Sequence, residues 1–199
     1  LEAGIERRLS GVTAEGFDRS RLTADLGDRW EIERGYFKVH AACRYTHATL
    51  DAIDATLNED PDLAPADVDA VTVETYPAAA RLSNPAPENA LQAKFSIPFA
   101  VATALVNGDT GRDAFTAEAI TPEALALAER VTVTVGEDVA ERVPAERGAR
   151  VTVTFADGTE TTTEVRSPRG GEHDPFTREE LRAKFEDLVA PAIADDRRS

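Results

Sequence analysis

The sequence contains no methionine and a single cysteine, Cys43, among its 199 residues. One thiol closes no internal disulfide and no apolar leader opens the chain, so a reducing, cytoplasmic setting is expected. A chain that starts at Leu1 without a methionine anywhere reads as a domain cut from a longer polypeptide. Long apolar runs are missing too. The longest, 95–106, is broken by Ser96, Pro98 and Thr103 and falls short of the roughly 18 residues a membrane span requires.

Basic residues are few and oddly distributed. There are 37 Asp and Glu against 22 Lys and Arg, a formal charge of −15, and only Lys38, Lys94 and Lys184 are lysines while 19 are arginines. Dense basic spots are confined to Arg7-Arg8 and Arg197-Arg198, so polyanions are repelled and binding to nucleic acid or to an anionic membrane surface is excluded. An acidic, lysine-poor coat suits a protein kept soluble in concentrated salt, where self-repulsion is screened, and a halophilic surface is the expectation.

What remains is an ordinary globular composition, 42% hydrophobic and 30% charged, of a size for one domain and a small appendage. A connecting helical segment is expected over 1–35, with a helix Leu1 to Leu9 and a polar helix-and-turn stretch Thr13 to Gly27. Thr46, Leu50, Ile53 and Leu57 recur at helical spacing and predict a helix over about 43–58. Strands are expected over about 69–76 and 130–136, where β-branched residues cluster. Residues 78–89 read as a surface loop. An apolar helix is expected within 90–107, with Pro98 in its first turn and Gly108 as its stop, and Thr121-Pro122 opens another short helix. Asp157-Gly158 joins two antiparallel strands, 150–155 and 160–166, and Thr177-x-x-Glu180 has capping-box spacing ahead of a last helix, 178–189. The class is α+β: a two-layer sandwich, mainly antiparallel, with helices on one face of the sheet over 36–190, followed by a polar tail, 191–199.

The densest chemistry lies in Tyr36-Phe37-Lys38-Val39-His40-Ala41-Ala42-Cys43-Arg44-Tyr45-Thr46-His47. Its cations precede or enter the first turn of a helix, whose free N–H groups favour an anion, so Lys38, Arg44 and His47 are candidates to clamp a carboxylate. The bland alternative makes Lys38 and Arg44 solvated, Cys43 a small core residue and His47 a packing residue. His40 and His47 lack an acidic partner at ligand spacing, which argues against a metal site, and Cys43 with His47 at i+4 is a weak nucleophile pair. Lys94, opening an apolar helix in Ala93-Lys94-Phe95-Ser96, is a second anion candidate, because a retained lysine supplies a compact point charge that arginine does not. Lys184 is expected to be solvated. The chain has no GxGxxG, GxxxxGK[ST], HExxH or GxSxG motif, which removes the usual nucleotide, metalloprotease and serine-hydrolase signatures.

Three ordered motifs, Lys38 through Asp51, Ala93 through Gly108, and Ser167-Pro-Arg-Gly170 followed by Pro175, Leu181 and Lys184-Phe185, resemble the C-terminal domain of the MmgE/PrpD family over roughly residues 30–190. That family includes 2-methylcitrate dehydratase, cis-aconitate decarboxylase and iminodisuccinate epimerase. The resemblance implies an α+β lid joined to a helical N-terminal domain, an active site in the cleft between them, no metal or organic cofactor, and usually a homodimer. It implies a lyase acting on small di- and tricarboxylic acids, of the 2-methylcitrate dehydratase type, in which this chain alone is inactive because the helical domain supplies much of the acid–base machinery. Lys38 matches the lid lysine that faces the cleft. Arg44 would hold a substrate carboxylate, His47 would carry a proton or pack, and Lys94 and Ser96 match the family's Phe-Ser-containing segment, whose role is either structural or contact with substrate. Relatives often carry Tyr-Pro-Cys where this chain reads His40-Ala41-Ala42. The competing expectation is a carboxylate-binding or protein-interaction module without catalysis, or a split subunit that needs a separate helical partner.

Overall fold

A computed structural model of the chain describes residues 18–191, in two units divided after Gly35. The proposed helix Leu1 to Leu9 and the tail beyond residue 191 lie outside the described residues. The described part of the first unit holds two 3-10 turns, Arg19–Leu22 and Glu31–Arg34, the former capped by the Asp18 carboxylate, which accepts from the Ser20 N–H.

The second unit is an α+β sandwich. Its four-stranded sheet has the order β2-β1-β3-β4, built from β1 (Val68–Thr75), β2 (Val131–Val135), β3 (Ala149–Phe155) and β4 (Glu160–Val165). β1 runs parallel to β2 and antiparallel to β3, and β3 pairs antiparallel with β4. The β3–β4 pair follows from the Asp157-Gly158 turn, where Gly158 takes φ 84° and the Phe155 N–H donates to the Thr159 carbonyl.

Alternation sorts the two faces. Val71, Val73, Val131, Val151 and Val153 are buried under helices α1 (His47–Glu59) and α4 (Ile97–Asn107). The other face carries a threonine row, Thr132, Thr72, Thr152 and Thr162, in register across all four strands. Beside it Arg150 pairs with Glu74, Asp138 and Glu164.

Helix starts follow the capping residues. Thr121 accepts from the Ala124 N–H at the head of α5 (Pro122–Ala128), and Thr177 and Glu180 form a reciprocal box at the head of α7 (Arg178–Val189). Two short helices were not visible as periodicity, α2 (Pro77–Ala80) inside the expected loop and α6 (Glu137–Glu141). The apolar stretch 90–107 is two helices, α3 (Ala90–Lys94) and α4, because Pro98 has no N–H to give the Lys94 carbonyl four residues back. Ser96 caps α4 through the Phe99 N–H, and Gly108, at φ 62°, ends it. In the core, Phe99 meets Phe115 edge to face at 6.4 Å, both rings fully buried and each worth about 2–3 kcal/mol in apolar area removed from water.

Candidate functional site

The carbonyl that Pro98 releases has a use. It accepts the Cys43 N–H at 2.8 Å, so α3 is stitched to the stretch between Lys38 and α1. The Phe37 N–H donates to the Gly170 carbonyl at 2.9 Å and the Ala41 N–H to the Thr110 carbonyl at 2.9 Å, which ties the same stretch to two more loops. Gly170 is required there: it takes φ 86°, and a Cβ on it would overlap the Phe37 carbonyl oxygen. With these N–H groups committed, the chain stays non-helical through Cys43, bending over 39–42. Residues 44–46 form a 3-10 turn, and α1 begins at His47 rather than near 43.

Beneath this stretch lies a polar chain. The fully buried His40 sets Nδ1 2.7 Å from the Thr110 hydroxyl and Nε2 2.9 Å from Asp51 Oδ1, while Asp51 Oδ2 accepts the Arg169 N–H at 2.8 Å. With a carboxylate as acceptor, Nε2 of His40 carries a proton. The His47 ring stands edge to face with His40 at 4.9 Å and is also fully buried. Burial, then the neighbouring His40 and Arg44, pushes the His47 pKa down to about 3, so the ring is neutral at ordinary pH. Its Nδ1 lies 3.3 Å from Arg44 Nη1, which places its own proton on Nε2.

Arg44 is held on three sides. Nη1 donates to the Arg169 carbonyl at 2.6 Å, Nη2 donates to the Pro168 carbonyl at 2.8 Å, and the guanidinium stacks 4.4 Å from the Tyr36 ring centre. Burial draws its pKa below the ordinary arginine value, with Asp51 opposing, and the group stays charged. The guanidinium therefore clamps the 167–170 loop onto the head of α1.

The three lysines converge on this stretch. Lys38 Nζ donates to the Ala42 carbonyl at 2.9 Å, Lys94 holds Cys43 through its own carbonyl, and Lys184, from α7, donates to the Val39 carbonyl at 3.3 Å. Lys184 was expected to be solvated; it is half-buried instead, and the scarcity of lysine was the one signal that could have singled it out. Ser96 is fully buried, its hydroxyl donating to the Asn84 carbonyl while accepting from Phe99, so both functions are spent on the loop and the helix start.

Two groups that sequence reasoning passed over also gather here. Tyr76 packs edge to face on Tyr45 at 5.6 Å, and burial, reinforced by Tyr45, raises its phenol pKa, so it remains an O–H donor beside Cys43 and Arg44. On the other side of the stretch a cleft of about 340 Å³ is lined by Asp51, Asp54 and Asp174 with Arg169 as its one cation, and burial raises the Asp54 pKa. That lining repels a carboxylate. Exposed apolar side chains border the lysines: Tyr36 and Phe37 next to Lys38, and Leu91 and Phe95 next to Lys94.

Among the described residues no cluster of three or more His, Cys, Asp or Glu could hold a metal ion, and no helix is long and apolar enough to cross a membrane. A family model described as the MmgE/PrpD C-terminal domain matches residues 40–199. No curated protein matches the chain.

Proposed function

The chain belongs to the MmgE/PrpD family through its C-terminal domain, and from that premise we propose that it is the lid of a cofactor-independent lyase for small di- and tricarboxylic acids, of the 2-methylcitrate dehydratase type. The observation that carries this reading is that Lys38 and Lys184 set their ammonium groups on the Ala42 and Val39 carbonyls, and Lys94 joins the same stretch through its backbone carbonyl, in a chain that elsewhere uses arginine as its cation. A strongly acidic protein that brings two of its three compact ammonium groups to one short stretch favours a small polyanion there.

In this reading the substrate's carboxylates face the side of the stretch that carries Lys38 and Lys94. A base from a helical N-terminal domain removes the proton next to a carboxylate, and the negative charge that grows on that carboxylate is met by ammonium groups already in position. The hydroxide equivalent leaves as water once an acid of the helical N-terminal domain protonates it, while burial keeps the Tyr76 phenol protonated, a hydrogen-bond donor and not a proton source. Arg44 acts one step removed: its guanidinium is spent on the Pro168 and Arg169 carbonyls, so it adds positive potential and fixes the loop. Of the two roles open to His47, packing suits a buried neutral ring with a pKa about 3 better than proton carriage does. Ser96 shapes the Lys94 turn. Tyr36, Phe37, Leu91 and Phe95 form the apolar rim on which the helical domain rests.

The test uses the full-length protein in concentrated salt, with 2-methylcitrate and related hydroxy acids as substrates and the conjugated alkene followed in the ultraviolet. Lys38→Ala and Lys94→Ala should each lower kcat by about 100-fold, the usual loss for one charge-stabilising donor. Unchanged turnover of every tested acid by Lys38→Ala would overturn the assignment.

A further inference from the structure

Arginines around β3 are mostly spent on carboxylates: Arg142, Arg150 and Arg166 pair with Glu146, Asp138 and Glu164 among them. Arg147, in the loop between α6 and β3, is an exception. Among the described residues its guanidinium has no ion pair and no hydrogen bond, in a chain with 37 acidic residues against 22 basic. The backbone that carries it is pinned. The Thr75 hydroxyl donates to the Gly148 carbonyl at 2.9 Å, a Cβ on Gly148 would overlap the Val165 carbonyl oxygen, and Thr75 pairs with Ala149 at the start of β3. Arg147 is thereby set beside the end of β1, where Tyr76 follows Thr75. Tyr76 is only 4% exposed, and its hydroxyl likewise has no hydrogen-bond partner among the described residues. A buried donor without an acceptor breaks the usual rule for such groups, and an open guanidinium next to it supplies the charge that an anionic acceptor needs. The groups that act on the phenol are Tyr45, Arg147, Cys43 and Arg44, two guanidiniums and no carboxylate. Arg44 is committed to the Pro168 and Arg169 carbonyls, so Arg147 is the cation left open there.

We propose that Arg147 is a substrate-binding residue which, together with the Tyr76 hydroxyl, holds one further carboxylate of the substrate and so selects tricarboxylates over dicarboxylates. The inference rests on the reading above and names the class of acid that suits the site. A guanidinium offers two parallel N–H groups to the two oxygens of a carboxylate, and the phenol adds an O–H to one of them. An ammonium has no such fork, which divides the labour: lysine where charge grows during proton removal, arginine where a carboxylate only has to be held. The two sides adjoin at residues 42 and 43, since Lys38 sits on the Ala42 carbonyl, the Lys94 carbonyl takes the Cys43 N–H, and Cys43 borders the phenol. A dicarboxylate held at the lysines leaves Arg147 to water, which costs little because that side chain is exposed. A third carboxylate replaces that water with a charged, two-point contact.

The test measures binding without turnover. The full-length protein is titrated by calorimetry with propane-1,2,3-tricarboxylate and with glutarate, which lacks only the central carboxylate. The solution holds about 1 M salt, where the screening length is about 3 Å and only charges in contact count. The tricarboxylate should bind at least about tenfold more tightly than glutarate. Arg147→Gln should weaken the tricarboxylate about 10- to 100-fold and glutarate less than about twofold, and Tyr76→Phe should weaken the tricarboxylate about 3- to 10-fold with glutarate again unchanged. Arg178→Gln removes an equally unpaired guanidinium from α7 and should alter neither. Equal weakening of the two acids by Arg147→Gln, unaltered binding of both, or the same loss from Arg178→Gln would each overturn the proposal. Binding of both analogues by a protein that turns over no hydroxy acid would refute the lyase reading and leave this inference standing. An active enzyme whose preference for the tricarboxylate is indifferent to Arg147→Gln would refute this inference alone, and no binding of either analogue would overturn both.

Discussion

Gly170 and Gly158 share a backbone conformation, φ 86° and φ 84°, but differ in what surrounds them. A Cβ on Gly158 meets nothing within 4 Å, whereas one on Gly170 overlaps the Phe37 carbonyl oxygen and comes within 3.3 Å of the Phe176 ring. Gly158→Ala therefore carries only the left-handed penalty, about 1–2 kcal/mol. Gly170→Ala carries the same penalty and also forces the 167–170 loop away from the stretch that holds Lys38. The Phe37–Gly170 hydrogen bond is lost, about 1 kcal/mol, and the two carbonyls on the Arg44 guanidinium are pulled from a charged donor, about 1.5–3 kcal/mol more. Gly170→Ala should thus be about 2.5–4 kcal/mol less stable than Gly158→Ala. Urea unfolding followed by circular dichroism measures both, and equal m-values would show that the midpoint difference is one of stability. Two variants that agree within about 0.5 kcal/mol would refute the view that this close approach fixes the loop.

Two further outcomes bear on the buried histidines. The His47 pKa is depressed to about 3, so the unfolded chain takes up a proton below about pH 6.5 that the folded chain refuses. The resulting stability is complete above that pH and is lost as pH falls toward 3. His47→Gln should therefore flatten the fall in urea midpoint between about pH 6.5 and 4, and an unaltered slope would place the acid sensitivity elsewhere. His40→Ala removes the one partner that Asp51 Oδ1 and the Thr110 hydroxyl share, and should cost about 3–5 kcal/mol by leaving a largely buried carboxylate short of a donor. Asp51→Asn in the His40→Ala background should recover part of that loss in the same titration, and a single-variant loss under about 1 kcal/mol would show that the pair is dispensable.

Signals that act within a few residues were legible in the sequence because a few residues decide them. Asp157-Gly158 turns the chain since glycine accepts a positive φ, Thr121 and Thr177 start helices since a hydroxyl reaches an N–H three residues on, and the valine-threonine alternation of β2 and β3 marks two faces because a strand repeats every two residues. Lys38, Arg44, His47 and Lys94 could be named from their neighbourhood, and Ser96 from the family resemblance, but not what each would touch. Charge type and spacing hold no information about partners far along the chain: Arg44 meets carbonyls 124 and 125 residues away, and Lys184 meets one 145 away. The tertiary structure alone decided that His40 lies between Thr110 and Asp51 and that the carbonyl freed by Pro98 binds Cys43. Such pairings are set by which loops the sheet order brings together, and that order is fixed by burial of the whole apolar layer rather than by any local run of residues.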